Sequence, residues 1–442
     1  MTPPPPRARG ESGFRSLRSL QGVRRSAFHS FYRKGLEAVG VTPDESFPKK
    51  LASLLPRNWW PWVWSYVRHV FQAKHEFPGY DLRGAGTPGV YPLQADLADA
   101  TSGDRPIRLS LAGDWAAGTV ESYWVAEQMR AFDPHYTIHL GDVYYVGDRE
   151  EVDENCLGTA PSDGAAVTWP LGSNGGFALN GNHEMYANGN AYFDRFLPRL
   201  GIMDPVTRRP RGQPASFFCL LNKYWAMVGL DTGYNSKGFP VLSQVPLLGQ
   251  LPGIKPTCPL EDRLLEWFRV VVAPLLADRG VVLLAHHQYY SAFDDGYDKP
   301  ARQLRAYLSK PVLWFWGHEH RLAVYGRHGA AGGIEAYGRC LGNGGMPVER
   351  GEPDAKKGPL PLLWDNRVYQ QFDSNDSVGF NGYANLTFER DALTVQYYSL
   401  ARRGGTDYNG SKLLVTERWG VVAGELRLVE LRREEAGLAG AG

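Results

Sequence analysis

The chain has 442 residues, with 48 Lys and Arg against 47 Asp and Glu, for a formal net charge of +1. Hydrophobic residues make up 43% and aromatic residues 12%. That is too apolar for a disordered chain and too evenly charged for a bulk nucleic-acid binder, so no nucleic-acid partner is expected.

The chain opens on four prolines, 3–6, followed by an Arg- and Ser-rich stretch to about Lys34. Residues 1–80 hold 13 Lys or Arg against 5 Asp or Glu, and the remainder holds 35 against 42. The near-zero total therefore averages a basic arm and a mildly acidic body. Trp59, Trp60, Trp62 and Trp64 come next, flanked by Arg57 and Arg68. Such a segment suits an apolar plug on the body or a contact at the headgroup level of a membrane. A peripheral membrane or protein contact through residues 1–80 stays open. No run of ~18 apolar residues suggests a membrane span, and no apolar core with a cleavage site follows the basic start. The expected compartment is the cytoplasm. Cys156, Cys219, Cys258 and Cys340 form no CxxC pair and read as reduced, buried thiols.

From about residue 101, short apolar runs alternate with helical periods. Strands are expected at 106–112, 136–140, 176–179, 217–221, 224–230, 281–285 and 311–316. Helices are expected at 118–132 and 259–276; in the second, Leu260, Leu264, Leu265 and Phe268 share one face. The alternation suggests βαβ units and a largely parallel sheet. A proline-broken loop is expected at 238–254. Residues 383–388 and 393–398 form a hairpin pattern around Arg390 and Asp391, with further strands at 413–416 and 421–431. The expected organisation is an N-terminal extension over 1–100, a catalytic domain over 101–402, and C-terminal strands with a frayed tail over 403–442.

Five polar motifs sit where predicted strands end. They are Gly113-Asp114, Gly141-Asp142, Gly181-Asn182-His183-Glu184, His286-His287 and Gly317-His318-Glu319-His320. Open α/β sheets bind ligands outside the carboxyl ends of their strands, so one rim would gather all five. Carboxylate, phenol and amide oxygens with imidazoles suit metal ions, and the lack of cysteine argues against a structural zinc site. Each motif alone is more often a turn than a ligand site. The ordered set arises by chance only rarely.

With these strings the chain resembles the calcineurin-like metallophosphoesterases, and most of all their purple acid phosphatase branch. The matching strings are LAGDW (111–115), GDVYY (141–145), GNHE (181–184), LAHHQYY (284–290) and GHEH (317–320). The resemblance implies a four-layer αββα sandwich of two mixed β-sheets flanked by helices. It implies that Asp114, Tyr145 and His320 bind one metal, that Asn182, His286 and His318 bind the other, and that Asp142 bridges both. Many members carry a histidine two residues after the first aspartate. Here that residue is Ala116, and Tyr145 stands where the purple branch places a compensating tyrosine. His286 is favoured over His287 by register, with His287 and Tyr186 as candidate substrate contacts. Asn188, Tyr289, Tyr290, Asp294 and Asp295 are further candidates for the pocket wall. His183 would protonate the leaving group. Glu184 either orients His183 or is a structural carboxylate at a helix start.

A phenolate is a hard, charged donor, so the expected cofactors are two metal ions, Fe(III) with a divalent iron, zinc or manganese. The implied reaction is hydrolysis of a phosphate ester by a bridging hydroxide in line with the leaving group, on a phosphomonoester. A phosphodiesterase and a non-catalytic binding protein on the same fold are the alternatives.

Overall fold

The computed structural model describes residues 73–84, 86–99, 104–159, 167–236, 256–346, 348–349, 360–366, 378–404 and 407–434. The tryptophan-rich segment at 59–71 and the proline-broken stretch at 238–254 lie outside them. Two eight-stranded sheets dominate. The first runs β1 (Val90–Pro92), β6 (Phe218–Leu221), β7 (Trp225–Gly229), β8 (Gly280–Leu284), β9 (Val312–Trp316), β11 (Ala336–Leu341), β10 (Leu322–His328) and β13 (Leu362–Asp365). The second runs β18 (Glu425–Arg433), β17 (Asp407–Val422), β16 (Ala392–Gly404), β15 (Gly382–Glu389), β2 (Ile107–Ala112), β3 (Tyr136–His139), β4 (Gly175–Ala178) and β5 (Gly201–Ile202). A ribbon of β12 (Val348–Glu349) and β14 (Val378–Gly379) completes the strands among the described residues.

Both sheets are mixed. Strands β2, β3 and β4 run parallel, as do β7, β8, β9 and β11, while the flanking strands pair mostly antiparallel. The parallel strands are short runs buried on both faces, such as VVLL in β8 and VLWFW in β9. The sheets pack face to face through Trp225 on Phe388 and Tyr337 on Trp419, with ring centroids 5.3 and 4.9 Å apart. Trp115, Trp225, Trp267, Trp314, Trp316, Trp364 and Trp419 are fully buried, so the described tryptophans mainly serve the core.

The helix Val120–Ala131 begins at Thr119, whose hydroxyl accepts the Ser122 amide, and packs on the second sheet. The segment expected to be one long helix is broken into types. An α-turn, Asp262–Trp267, passes into π-helical Phe268–Val272 and a 3-10 turn, Ala273–Leu275. Pro274 lacks the amide that would continue the ladder. Strand β1 extends the first sheet from within residues 1–100, and β17 and β18 extend the second from within 403–442. All four cysteines are buried and unpaired. Among the described residues, no helix is long and apolar enough to cross a membrane.

Candidate metal centre

The carboxyl ends of β2, β3 and β4 in one sheet meet those of β8 and β9 in the other. The Gly113 amide donates to the Leu341 carbonyl across this seam at 3.1 Å. Asp114, Asp142 and His318 each turn the chain with positive φ (55°, 73° and 67°), a costly conformation for non-glycine residues that clusters at functional sites. The turns bring backbone amides onto the carboxylates. The His318 amide donates to Asp114 Oδ2 at 2.7 Å, and the His183 amide to Asp142 Oδ1 at 3.1 Å. Two glycines permit the approach. A Cβ on Gly317 would lie 2.6 Å from Asp114 Oδ2, and one on Gly181 would lie 2.1 Å from Asp142 Oδ1.

Polar donors converge in two overlapping sets. His286 Nε2 lies 3.2 Å from Asp142 Oδ1, 3.2 Å from Asn182 Oδ1 and 3.3 Å from His318 Nδ1. His286 Nδ1 lies 2.9 Å from the Leu140 carbonyl oxygen, which can only accept. Nδ1 therefore carries a proton, and in the neutral ring Nε2 is the nitrogen whose lone pair faces the site. Asn182 Nδ2 donates to the Tyr186 hydroxyl at 2.8 Å, with Oδ1 on the side of His286. In the second set, His320 Nε2 lies 3.4 Å from Asp114 Oδ1. The Tyr144 hydroxyl lies 2.5 Å from Asp114 Oδ1, 3.0 Å from Asp142 Oδ2 and 2.9 Å from His320 Nε2.

The chemistry of this donor set fits metal ions. An imidazole lone pair, a carboxylate oxygen, an amide oxygen and a second imidazole meet at His286 Nε2. A shared proton satisfies one pair of them, whereas a cation satisfies all. Asp114, Asp142 and His286 offer ligand atoms within 4.8 Å of one another, and so do His286, His287 and His318. The electrostatics agree. Burial opposes a charge on His286, yet Asp142, Asp114 and Glu184 outweigh it and lift its pKa to about 9. Burial pushes Asp114 up to about 7 against the pull of His286, with Asp142 adding to the rise. Burial also works against Asp142, but His286, His183 and His318 hold it well below the usual carboxylate range. The field at this point favours added positive charge.

Residues 108–322 match the sequence model of the calcineurin-like phosphoesterases. Over these residues the chain is similar to that family. No curated protein matches the chain significantly. Solved structures similar to it include PhoD, at 11% identity over 79% of this chain and 74% of that one, with a TM-score of 0.44. The purple acid phosphatase PPD1 from yellow lupin seeds is similar at 14% identity over 73% and 54%, with a TM-score of 0.38. Vacuolar Protein Sorting 29 from Cryptosporidium parvum is similar at 11% over 71% and 98%, with a TM-score of 0.26. Likeness this low carries no conclusion about activity or branch.

Within residues 108–322, Asp114, Asp142, Asn182, His286, His318 and His320 all reach the seam. His183 stands at its edge. Its Nδ1 lies 2.6 Å from the Tyr145 carbonyl oxygen and its Nε2 lies 3.8 Å from Asp142 Oδ2. His287 is buried beside the first set. Its amide donates to Thr232 Oγ1 at 3.0 Å, and its ring packs 4.7 Å from that of His318. Burial, reinforced by His318 and His286, keeps it neutral. Glu184 proves to be a structural carboxylate, since its Oε2 accepts the amides of Asp142 (3.2 Å) and Gly181 (3.1 Å) and so ties two motifs together.

Some expectations are corrected. Tyr145 stands in register, but the hydroxyl among the donors belongs to Tyr144. Tyr145 is partly buried and packs against Ala117, Tyr144 and Met346. Tyr289 and Tyr290 form no pocket wall. They are buried, with hydroxyls donating to the carbonyls of Ile334 (3.0 Å) and Ala336 (2.9 Å). Asn188 closes the short helix Asn182–Tyr186, its amide on the Met185 carbonyl and its own carbonyl taken by His75. Residues missed from sequence include Tyr144, Thr232 and Tyr297, whose ring packs 4.9 Å from that of His287. The doubled tyrosine of GDVYY was the available signal for the first.

Proposed function

We propose that the domain hydrolyses small phosphomonoesters through a dinuclear metal centre of the purple acid phosphatase kind. The observation that carries this reading is the seam itself, where loops from two sheets present acceptors from Asp114, Asp142, Asn182, His286, His318 and His320 to one region. Asp142 has an oxygen toward each set and would serve both ions. Asn182, His286 and His318 would hold one ion. Asp114, His320 and a tyrosine of the 144–145 pair would hold the other. Ala116 in place of the wider family's histidine, with a phenol nearby, supports the purple branch and a ferric ion. When bound, the ions supply activated water and neutralise charge building on the phosphoryl oxygens.

The chain's own residues do the rest. His183 donates its Nδ1 proton to the Tyr145 carbonyl, so Nε2 is the nitrogen left to carry a proton to the leaving alkoxide. Tyr186 acts through Asn182 by fixing its amide, and His287 supports His318 from behind. The test is metal analysis with p-nitrophenyl phosphate and bis-p-nitrophenyl phosphate assayed across pH. Preference for the monoester and loss of hydrolysis in Asn182→Ala are expected. Preference for the diester would overturn the substrate class, and undiminished hydrolysis in Asn182→Ala would overturn the site.

A further inference from the structure

Pattern and position disagree over one residue of the centre. Counting from Asp142 selects Tyr145, whereas the packed chain puts Tyr144 among the donors. Tyr144 is 1% exposed, and its single hydroxyl proton faces carboxylate oxygens of both Asp114 and Asp142, at 2.5 and 3.0 Å, with His320 Nε2 2.9 Å from the phenol oxygen. One proton cannot satisfy both carboxylates, so one of them faces the phenol oxygen without sharing its proton. A cation held by the same four groups removes that conflict.

The neighbouring backbone explains why this residue turns inward. Val143 forms a parallel bridge with Ala116, and the Tyr144 amide donates to the Ala116 carbonyl at 3.0 Å. Tyr144 is thereby pinned beside position 116, where only a methyl group stands. Tyr145 is engaged through its main chain. Its amide donates to Glu151, and its carbonyl is the partner of His183 Nδ1. Glu151 also accepts the amides of Val146 and Gly147 at 2.8 Å and is buried, so the loop following Tyr144 is clasped from one side. The two tyrosine rings are T-shaped, with centroids 6.1 Å apart.

We infer that Tyr144, rather than Tyr145, supplies the phenolate oxygen to the ion held by Asp114 and His320, and that Tyr145 positions His183 through its carbonyl. This rests on the dinuclear reading above. Binding replaces the phenol O–H bond with an oxygen–metal bond and releases the proton to solvent.

The experiment loads wild type, Tyr144→Phe and Tyr145→Phe with iron and reads iron content, the visible phenolate-to-iron charge-transfer band and tyrosinate modes by resonance Raman. Tyr145→Phe should keep the band and its iron. Tyr144→Phe should lose the band and bind iron at least tenfold more weakly. A band lost in Tyr145→Phe, or kept in Tyr144→Phe, overturns the inference and leaves the dinuclear reading standing. Iron-loaded wild type without a band overturns the ferric-phenolate reading itself. Should Tyr144→Phe not fold, 3-fluorotyrosine placed at 144 keeps the ring and the oxygen. A shifted band then supports the inference, and an unmoved band overturns it.

Discussion

Glu417→Gln should destabilise the protein by about 3–5 kcal/mol, the usual cost of stranding one partner of a buried ion pair. Arg339 on β11 and Glu417 on β17 belong to different sheets, and both side chains are fully buried. The contact is two-pronged, Nε to Oε2 at 2.9 Å and Nη2 to Oε1 at 2.6 Å. Tyr397 also donates to Oε2, at 2.8 Å, while Arg339 Nη1 is taken by the carbonyls of Tyr325 and Gly338. In the variant the guanidinium keeps its charge in the dry interface and loses its carboxylate. Whichever way the new amide sits, its NH2 must also face an Arg339 N–H, because the guanidinium donates to both oxygens.

The comparison that isolates the charge is the double variant Arg339→Met with Glu417→Leu. It removes both ions and leaves chiefly the Tyr397 hydroxyl unpaired, which costs about 1–3 kcal/mol. The double variant should therefore be more stable than Glu417→Gln, a non-additivity that a mutant cycle reads directly. Urea unfolding followed by tryptophan fluorescence supplies the free energies. A Glu417→Gln protein within about 1 kcal/mol of wild type would refute the argument that this pair is dry and mutually dependent.

Three further outcomes are expected. His286→Ala should lose the ion held with Asn182 and His318, whereas His287→Ala should retain it with lowered affinity; metal content after dialysis distinguishes them. Gly317→Ala should weaken metal binding about 10–100-fold, because its Cβ would displace Asp114 Oδ2, and isothermal titration with zinc would expose an unchanged affinity. Acid should destabilise the metal-free protein through His139, whose burial pushes its pKa down to about 3. Between that value and the unfolded one near 6.5, the unfolded chain binds a proton that the folded chain does not. Stability therefore falls with pH by up to about 1.4 kcal/mol per unit. Thermal melts of His139→Gln should show a flatter acid limb, and an unchanged limb would refute the assignment.

What could be read from the sequence follows a physical rule. Strands such as β8 and β9 were legible because burial on both faces demands uninterrupted apolar runs, and the ligand loops because metal chemistry demands a few residue types at strand ends. Strand β11, AYGRCL, was not legible, since its buried Arg339 looks like a surface residue until Glu417, distant in sequence, neutralises it. Tyr289 and Tyr290 failed for the same reason. They follow the histidine motif closely enough to suggest a pocket wall, but their hydroxyls find carbonyls of a later segment. The choice between Tyr144 and Tyr145 is the sharpest instance. The count from Asp142 points to Tyr145, whereas the backbone held by the Val143–Ala116 bridge sets Tyr144 beside Asp114, Asp142 and His320. A motif fixes which chemistry reaches a site. The partners that fix the backbone decide which atom delivers it.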